Sequence, residues 1–141
     1  MTAANWREVA ALTVAPGQEA HVAPVTYYLC LCAYGDTWRP LAILRDGAVV
    51  GFCMEGIDDD GSRWVGGLVI GGPFQRQGIA RQALLQLIER CDADPDCPGL
   101  ALSYRPENTA ARSLYAGLGL RETGETEDGG AEVVARRPRS G

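Results

Sequence analysis

The stretch that most constrains the fold runs from Arg63 to Tyr104. Residues 63–70 have strand character, interrupted by Gly66-Gly67, and lead into the glycine- and glutamine-rich turn GPFQRQGIA. The pattern then predicts an amphipathic helix over 78–91, because Ala80, Leu84, Leu87, Ile88 and Cys91 fall on one face at helical spacing. Asp92 to Pro98 reads as a loop, and residues 100–104 form a second strand. A strand, a helix and a strand in this order make a crossover between parallel neighbours, almost always right-handed. Adjacent glycines weaken a strand and mark a bulge or a close backbone approach.

The remaining segments surround this unit. Asn5-Trp6-Arg7-Glu8 has the form of a capping box, so a short helix is expected over 5–14, with Trp6, Val9, Ala10 and Thr13 on one face. Pro16-Gly17 ends it. Pro24 suits the first turn of a second helix running to Tyr34, with Gly35-Asp36 as its stop. Residues 40–44 and 48–54 are strands joined by Asp46-Gly47, a strong two-residue hairpin signal. Asn108 caps a further helix with Ala111, Leu114, Tyr115 and Leu118 inward, stopped by Gly119. Residues 133–135 are the last strand, 137–141 a frayed tail, and residues 1–136 one domain. The order is two helices, three antiparallel strands, helix, strand, helix, strand, a mixed α/β domain.

Composition removes several function classes. The net charge of −5 argues against nucleic-acid binding, which needs a basic surface. All 13 basic residues are arginine, so lysine Schiff-base and P-loop chemistry are excluded. His21 is the one histidine, read as structural or exposed, which leaves little room for a Ser-His-Asp or Cys-His site. Cys30-x-Cys32 and Cys91-x5-Cys97 do not match zinc spacings, so no metal is expected. The five cysteines are read as reduced, mostly structural thiols. Asp58-Asp59-Asp60-Gly61 is a solvated turn lacking the glutamate that completes a calcium loop. No apolar run reaches the ~18 residues of a membrane span, and Met1 to Leu12 lacks a signal pattern, so the expected compartment is the cytoplasm.

Two motifs carry chemistry. Gln75-x-x-Gly78-x-Ala80 follows a strand and opens a helix, where free N–H groups and the helix dipole suit a phosphate. Downstream stands Asn108-Thr-Ala-Ala111-Arg-Ser-Leu114-Tyr115-Ala-Gly-Leu118-Gly119-Leu120. Together they resemble the GNAT superfamily of acyl-CoA-dependent N-acetyltransferases. Asn5-Trp6, Trp38 to Ile43 and Val50-Gly51-Phe52 resemble its diamine and spermine/spermidine branch. Resemblance extends over roughly residues 5–135.

The resemblance implies a central, mostly antiparallel twisted sheet with helices on both faces and a splayed gap between the fourth and fifth strands, here 63–70 and 99–104. It implies acetyl-CoA as cosubstrate and direct acetyl transfer to a primary amine in a ternary complex. In that scheme the backbone of Leu68, Val69 and Ile70 would pair with the pantetheine arm. Residues Gln75, Arg76, Gln77, Gly78, Ile79 and Ala80 would form the pyrophosphate cradle, with Asn108 contacting CoA or serving as an N-cap, or both. Tyr115 matches the general acid for the departing thiolate, its other reading being a core tyrosine. Glu55 is the candidate base, or an exposed glutamate beside a turn. Gly66-Gly67 and Gly71 stand where polyamine-acetylating relatives commonly carry charges. The acceptor is expected to be a small amine such as a polyamine or diamine; an amino-sugar antibiotic or a peptide amine stays open. So does a different class, an acetyl-CoA-binding sensor without turnover. No nucleic-acid or membrane partner is expected. Homodimers are common among such enzymes, and an altered first strand offers an edge for pairing.

Overall fold

The computed structural model describes residues 1–19 and 22–140; His21 lies outside the described residues. The elements are α1 (Trp6–Ala10), α2 (Val25–Tyr34), β1 (Trp38–Arg45), β2 (Ala48–Ile57), β3 (Arg63–Ile70), α3 (Ile79–Ala93), β4 (Gly99–Tyr104), α4 (Thr109–Gly117), β5 (Arg121–Glu127) and β6 (Glu132–Pro138). Six strands form one sheet in the order β1-β2-β3-β4-β6-β5. Every pairing is antiparallel except β3 with β4.

The β1–β2 hairpin turns on Asp46 and Gly47, both at positive φ (52° and 81°), as a tight hairpin of this hand requires. Strand alternation then builds two cores. One side of the sheet presents Phe52, Met54 and Val69 to Val9 of α1 and Val25 of α2. The other presents Cys53, Val65, Leu100 and Leu102 to Leu84, Leu87 and Ile88 of α3 and to Tyr115 and Leu118 of α4. Helices therefore cover both faces.

The crossover forms as expected, and the bulge falls at its glycines. Between the pairs Met54–Gly66 and Phe52–Val69, Cys53 of β2 opposes both Gly67 and Leu68 of β3. Gly67 takes φ +58°, and a Cβ there would stand 3.0–3.1 Å from the Tyr28 ring. β3 pairs with β4 only from Arg63 to Val65, against Leu100 to Leu102. Past that point β3 keeps only β2 as a neighbour and β4 only β6, so the sheet splays.

Four expectations are corrected. α1 ends at Ala10, and Asn5 makes no side-chain cap; its Oδ1 instead accepts from Thr2 N–H at 2.8 Å. β5 was not foreseen, because every residue of Arg121–Glu127 is exposed and the segment carries no apolar alternation. The terminal strand continues to Pro138, and Ser140 N–H donates to Asp92, so the segment read as frayed is tied to the end of α3. Cys91 and Cys97, both buried, form a disulfide, whereas all five thiols were expected to be reduced. Their spacing gives no sign of it; the turn at Asp94 brings the two Cα atoms to 5.6 Å.

Candidate active site at the sheet gap

The splay opens into a cavity of about 540 Å³. Its walls come from β3 (Trp64 to Leu68), the end of β4 (Ser103, Tyr104), Asn108 and Tyr115 of α4, Tyr28 of α2, and Trp38 and Met54 of the meander.

Backbone polarity along β3 follows from one bond. Gly71 N–H donates to Val50 C=O at 2.9 Å, so the adjacent Gly51–Ile70 pair has its peptide groups turned away from each other. Ile70 therefore presents its backbone to the gap, and by alternation so does Leu68. Val69 is turned the other way, into its pair with Phe52, and cannot offer its backbone to the gap as expected. The Ile70 carbonyl accepts from Gln75 Nε2 at 3.0 Å, and the same nitrogen donates to Gln18 Oε1. Gln75 thus braces the turn against β3.

The turn itself is shaped for an anion. Arg76 and Gly78 both take positive φ, 62° and 75°, and successive turns of this kind aim backbone N–H groups into a concavity. The first hydrogen bond of α3 runs from Gln82 N–H to Gly78 C=O. The amides of Ile79, Ala80 and Arg81 are therefore the free donors of the first turn. No protein atom stands within 4 Å of where a Cβ on Gly78 would lie. Ile79 anchors the turn by burying its side chain, and Gln77 is fixed by Arg45, which donates to its Oε1.

Of the two roles left open for Asn108, the structure shows the cap. It caps α4, its Oδ1 accepting from Ala111 N–H at 3.3 Å, and it lines the cavity. Tyr115 is only 9% exposed yet also lines the cavity, its ring 5.2 Å from that of Tyr104. Burial, with added repulsion from Tyr104 and Glu132, pushes its hydroxyl up to about 12. The phenol therefore stays a neutral O–H donor across the physiological range.

Glu55 does not join this group. Met54 and Gly56 face the cavity, so Glu55 between them points to the other face of β2. There it is buried, ion-paired to Arg39 and 4.0 Å from Arg90. A carboxylate held by guanidinium and outside the cavity is not placed to accept an amine proton.

Sequence reasoning missed most of the remaining cavity wall. Gly66 and Gly67 leave room for the rings of Trp38 and Tyr28, which stand 3.0–3.3 Å from where their Cβ atoms would be. Where charged side chains were noted as lacking, the wall is aromatic. Asp58, Asp59, Glu127, Asp128 and Glu132 also line the cavity, with Arg105 as its one cationic lining residue among the described residues. No signal of spacing links these residues; only the strand ends and turns bring them together. No group of three or more His, Cys, Asp or Glu side chains among the described residues is placed to hold a metal. No helix among them is long and apolar enough to cross a membrane.

The splayed sheet, with a turn of free backbone amides on one arm and a buried tyrosine on the other, is consistent in form with what comparison with known proteins gives. The sequence matches the acetyltransferase (GNAT) family over residues 6–120, and the chain belongs to that family. It is an acyltransferase. It is 27% identical over 106 residues to the spermine/spermidine N(1)-acetyltransferase of Bacillus subtilis (strain 168), covering 70% of each chain. Among solved structures it resembles the ribosomal-protein-S18-alanine N-acetyltransferase from Escherichia coli, with TM-score 0.62, 24% identity, and coverage of 76% of this chain and 72% of that one. It likewise resembles Mycobacterium smegmatis RimJ in complex with CoA-disulfide, with TM-score 0.63, 22% identity and coverage of 96% and 72%.

Proposed function

We propose that the protein transfers the acetyl group of acetyl-CoA to a small cationic amine. The observation that carries this reading is the shared cavity: Tyr115, the gap-facing backbone of β3 and an aromatic and acidic acceptor wall all border one space. The residues fit the donor. The amides of Ile79, Ala80 and Arg81, with the turn through Arg76 and Gly78, suit the pyrophosphate. Leu68 and the Ile70 N–H offer an edge along which an amide-bearing arm adds like a strand. Bound there, acetyl-CoA supplies an activated acetyl thioester. Tyr115 then holds a proton for the sulfur that leaves.

The acceptor side favours a cation. Carboxylates attract an ammonium group, and the aromatic rings of Tyr28 and Trp38 on the same wall suit a cation; Trp64 already carries the Arg136 guanidinium over its ring. The similarity to a spermine/spermidine acetyltransferase supports a polyamine or diamine. The test is thiol release from acetyl-CoA with a panel containing spermidine, a diamine, an amino sugar and a peptide amine. Preferential turnover of the polyamine or diamine is expected. Turnover confined to the peptide moves the acceptor to a protein, and acetyl-CoA binding without turnover of any amine overturns the reading.

A further inference from the structure

Glu132 opens β6 directly after the turn that leaves β5. In the structure it lines the cavity together with Tyr115, and its position separates it from the other carboxylates there. Asp58 accepts from Asp59 N–H and Trp64 Nε1, and Asp128 faces Arg105 at 3.9 Å. Asp59 and Glu127 are exposed. Glu132 is half-buried, and among the described residues its hydrogen-bonding partner is the Ser103 hydroxyl, which donates to Oε1 at 3.0 Å. A hydroxyl donor fixes one carboxylate oxygen and leaves Oε2 free to face the cavity.

We infer that Glu132 is the catalytic base: it receives the acceptor ammonium in the cavity and takes one of its protons. This rests on the acetyltransferase reading above. Its negative charge adds to the burial that raises Tyr28 and Tyr115, both of which line the same cavity. The charged and titratable groups sharing the cavity with it are Tyr28 of α2, Asp58 and Asp59 after β2, Tyr104 of β4, Arg105, Tyr115 of α4, Glu127 of β5 and Asp128.

The step balances as follows. An acceptor R–NH3⁺ gives one proton to Glu132 and gains a free lone pair. The nitrogen–carbon bond forms and the carbon–sulfur bond breaks. The sulfur takes the Tyr115 proton, and the second nitrogen proton restores the phenol. Glu132 releases its proton to solvent, so one proton appears per turnover.

The test compares wild type with Glu132→Gln, Glu132→Asp and Ser103→Ala, by pH profiles of kcat/KM and by calorimetric titration of amine and of CoA. An amine of pKa ~10 needs no base once it is itself neutral. Glu132→Gln is expected to lose about 10²–10³-fold at pH ~7, a deficit that closes toward pH ~10. Its amine affinity falls while its CoA affinity holds. Aspartate restores part of the rate, and Ser103→Ala shifts the acidic limb of the profile. A wild-type profile in Glu132→Gln, or a deficit constant with pH, overturns the inference. An inactive wild type that binds acetyl-CoA instead defeats the acetyltransferase reading itself.

Discussion

At the residue scale, Tyr115 joins two requirements that usually conflict. In the proposed role it must be buried enough to stay protonated and open enough to reach the gap, and the end of α4 beside the diverging β3 and β4 provides both. Tyr115→Phe removes one oxygen from a packed ring. The expected outcome is a fall in kcat of about 10²-fold with little change in acetyl-CoA affinity, since general acid catalysis is worth that much. Steady-state kinetics with equilibrium binding would check it; unchanged kcat returns the residue to a core role. Tyr115 stands out in sequence because it sits in a long spaced motif, and the structure places it on the cavity wall. Glu55 was misplaced because a strand's parity cannot be set without its register. One residue along β2 decides between the cavity and the salt bridge to Arg39. Glu132 had no legible signal at all, since its partner Ser103 lies 29 residues away.

At the scale of elements, the turn into α3 is the part the sequence described best. Its strand, glycine and amphipathic helix are contiguous, and local chemistry suffices to read them. Gly78→Glu and Gly78→Gln impose the same strain at φ +75° but differ by one charge. The glutamate variant is expected to bind CoA about tenfold more weakly than the glutamine variant, a gap that narrows with salt because the repulsion is screened. Calorimetry measures both, and equal affinities would count against a phosphate at this turn. The Cys91–Cys97 bridge acts on the far end of the same helix. Closing a loop of sequence separation six contributes about 2 kcal/mol through the unfolded chain. Reductant is expected to lower the denaturant midpoint accordingly, with no loss in a Cys91→Ser, Cys97→Ser double variant already lacking the bridge. β5 escaped detection for the opposite reason: an exposed edge strand of Arg, Glu, Thr and Gly has no face to bury, and its pairing with β6 is what makes it a strand.

For the whole molecule, carboxylates on β5 and at the end of α3 bear on the behaviour in acid. Arg136, then Thr123, hydrogen-bond to Glu125 and lower it from 4.5 to about 2. Arg112 and Tyr104 lower Glu122, and Arg137 and the Ser140 amide lower Asp92. A carboxylate depressed in the folded state adds stability that is present above its unfolded value and is lost as pH falls through the folded one. Tm is therefore expected to decline from about pH 4.5 toward pH 2. Salt near 1 M should flatten the decline. A Tm independent of pH in that window would show these surface pairs to be inert. The fold as a whole was legible from the crossover and the meander, whereas closure of the sheet by β6 and the aromatic and acidic cavity wall depended on contacts between distant segments.

The aromatic wall has a practical consequence. Of the chain's three tryptophans, Trp38 and Trp64 line the cavity and Trp6 stands apart on α1. The intrinsic ultraviolet emission of the unlabelled protein is thus weighted toward the cavity proposed to take the amine. Occupancy of that pocket by a spectroscopically silent amine can be followed as quenching or a wavelength shift, with no dye, tag or turnover required.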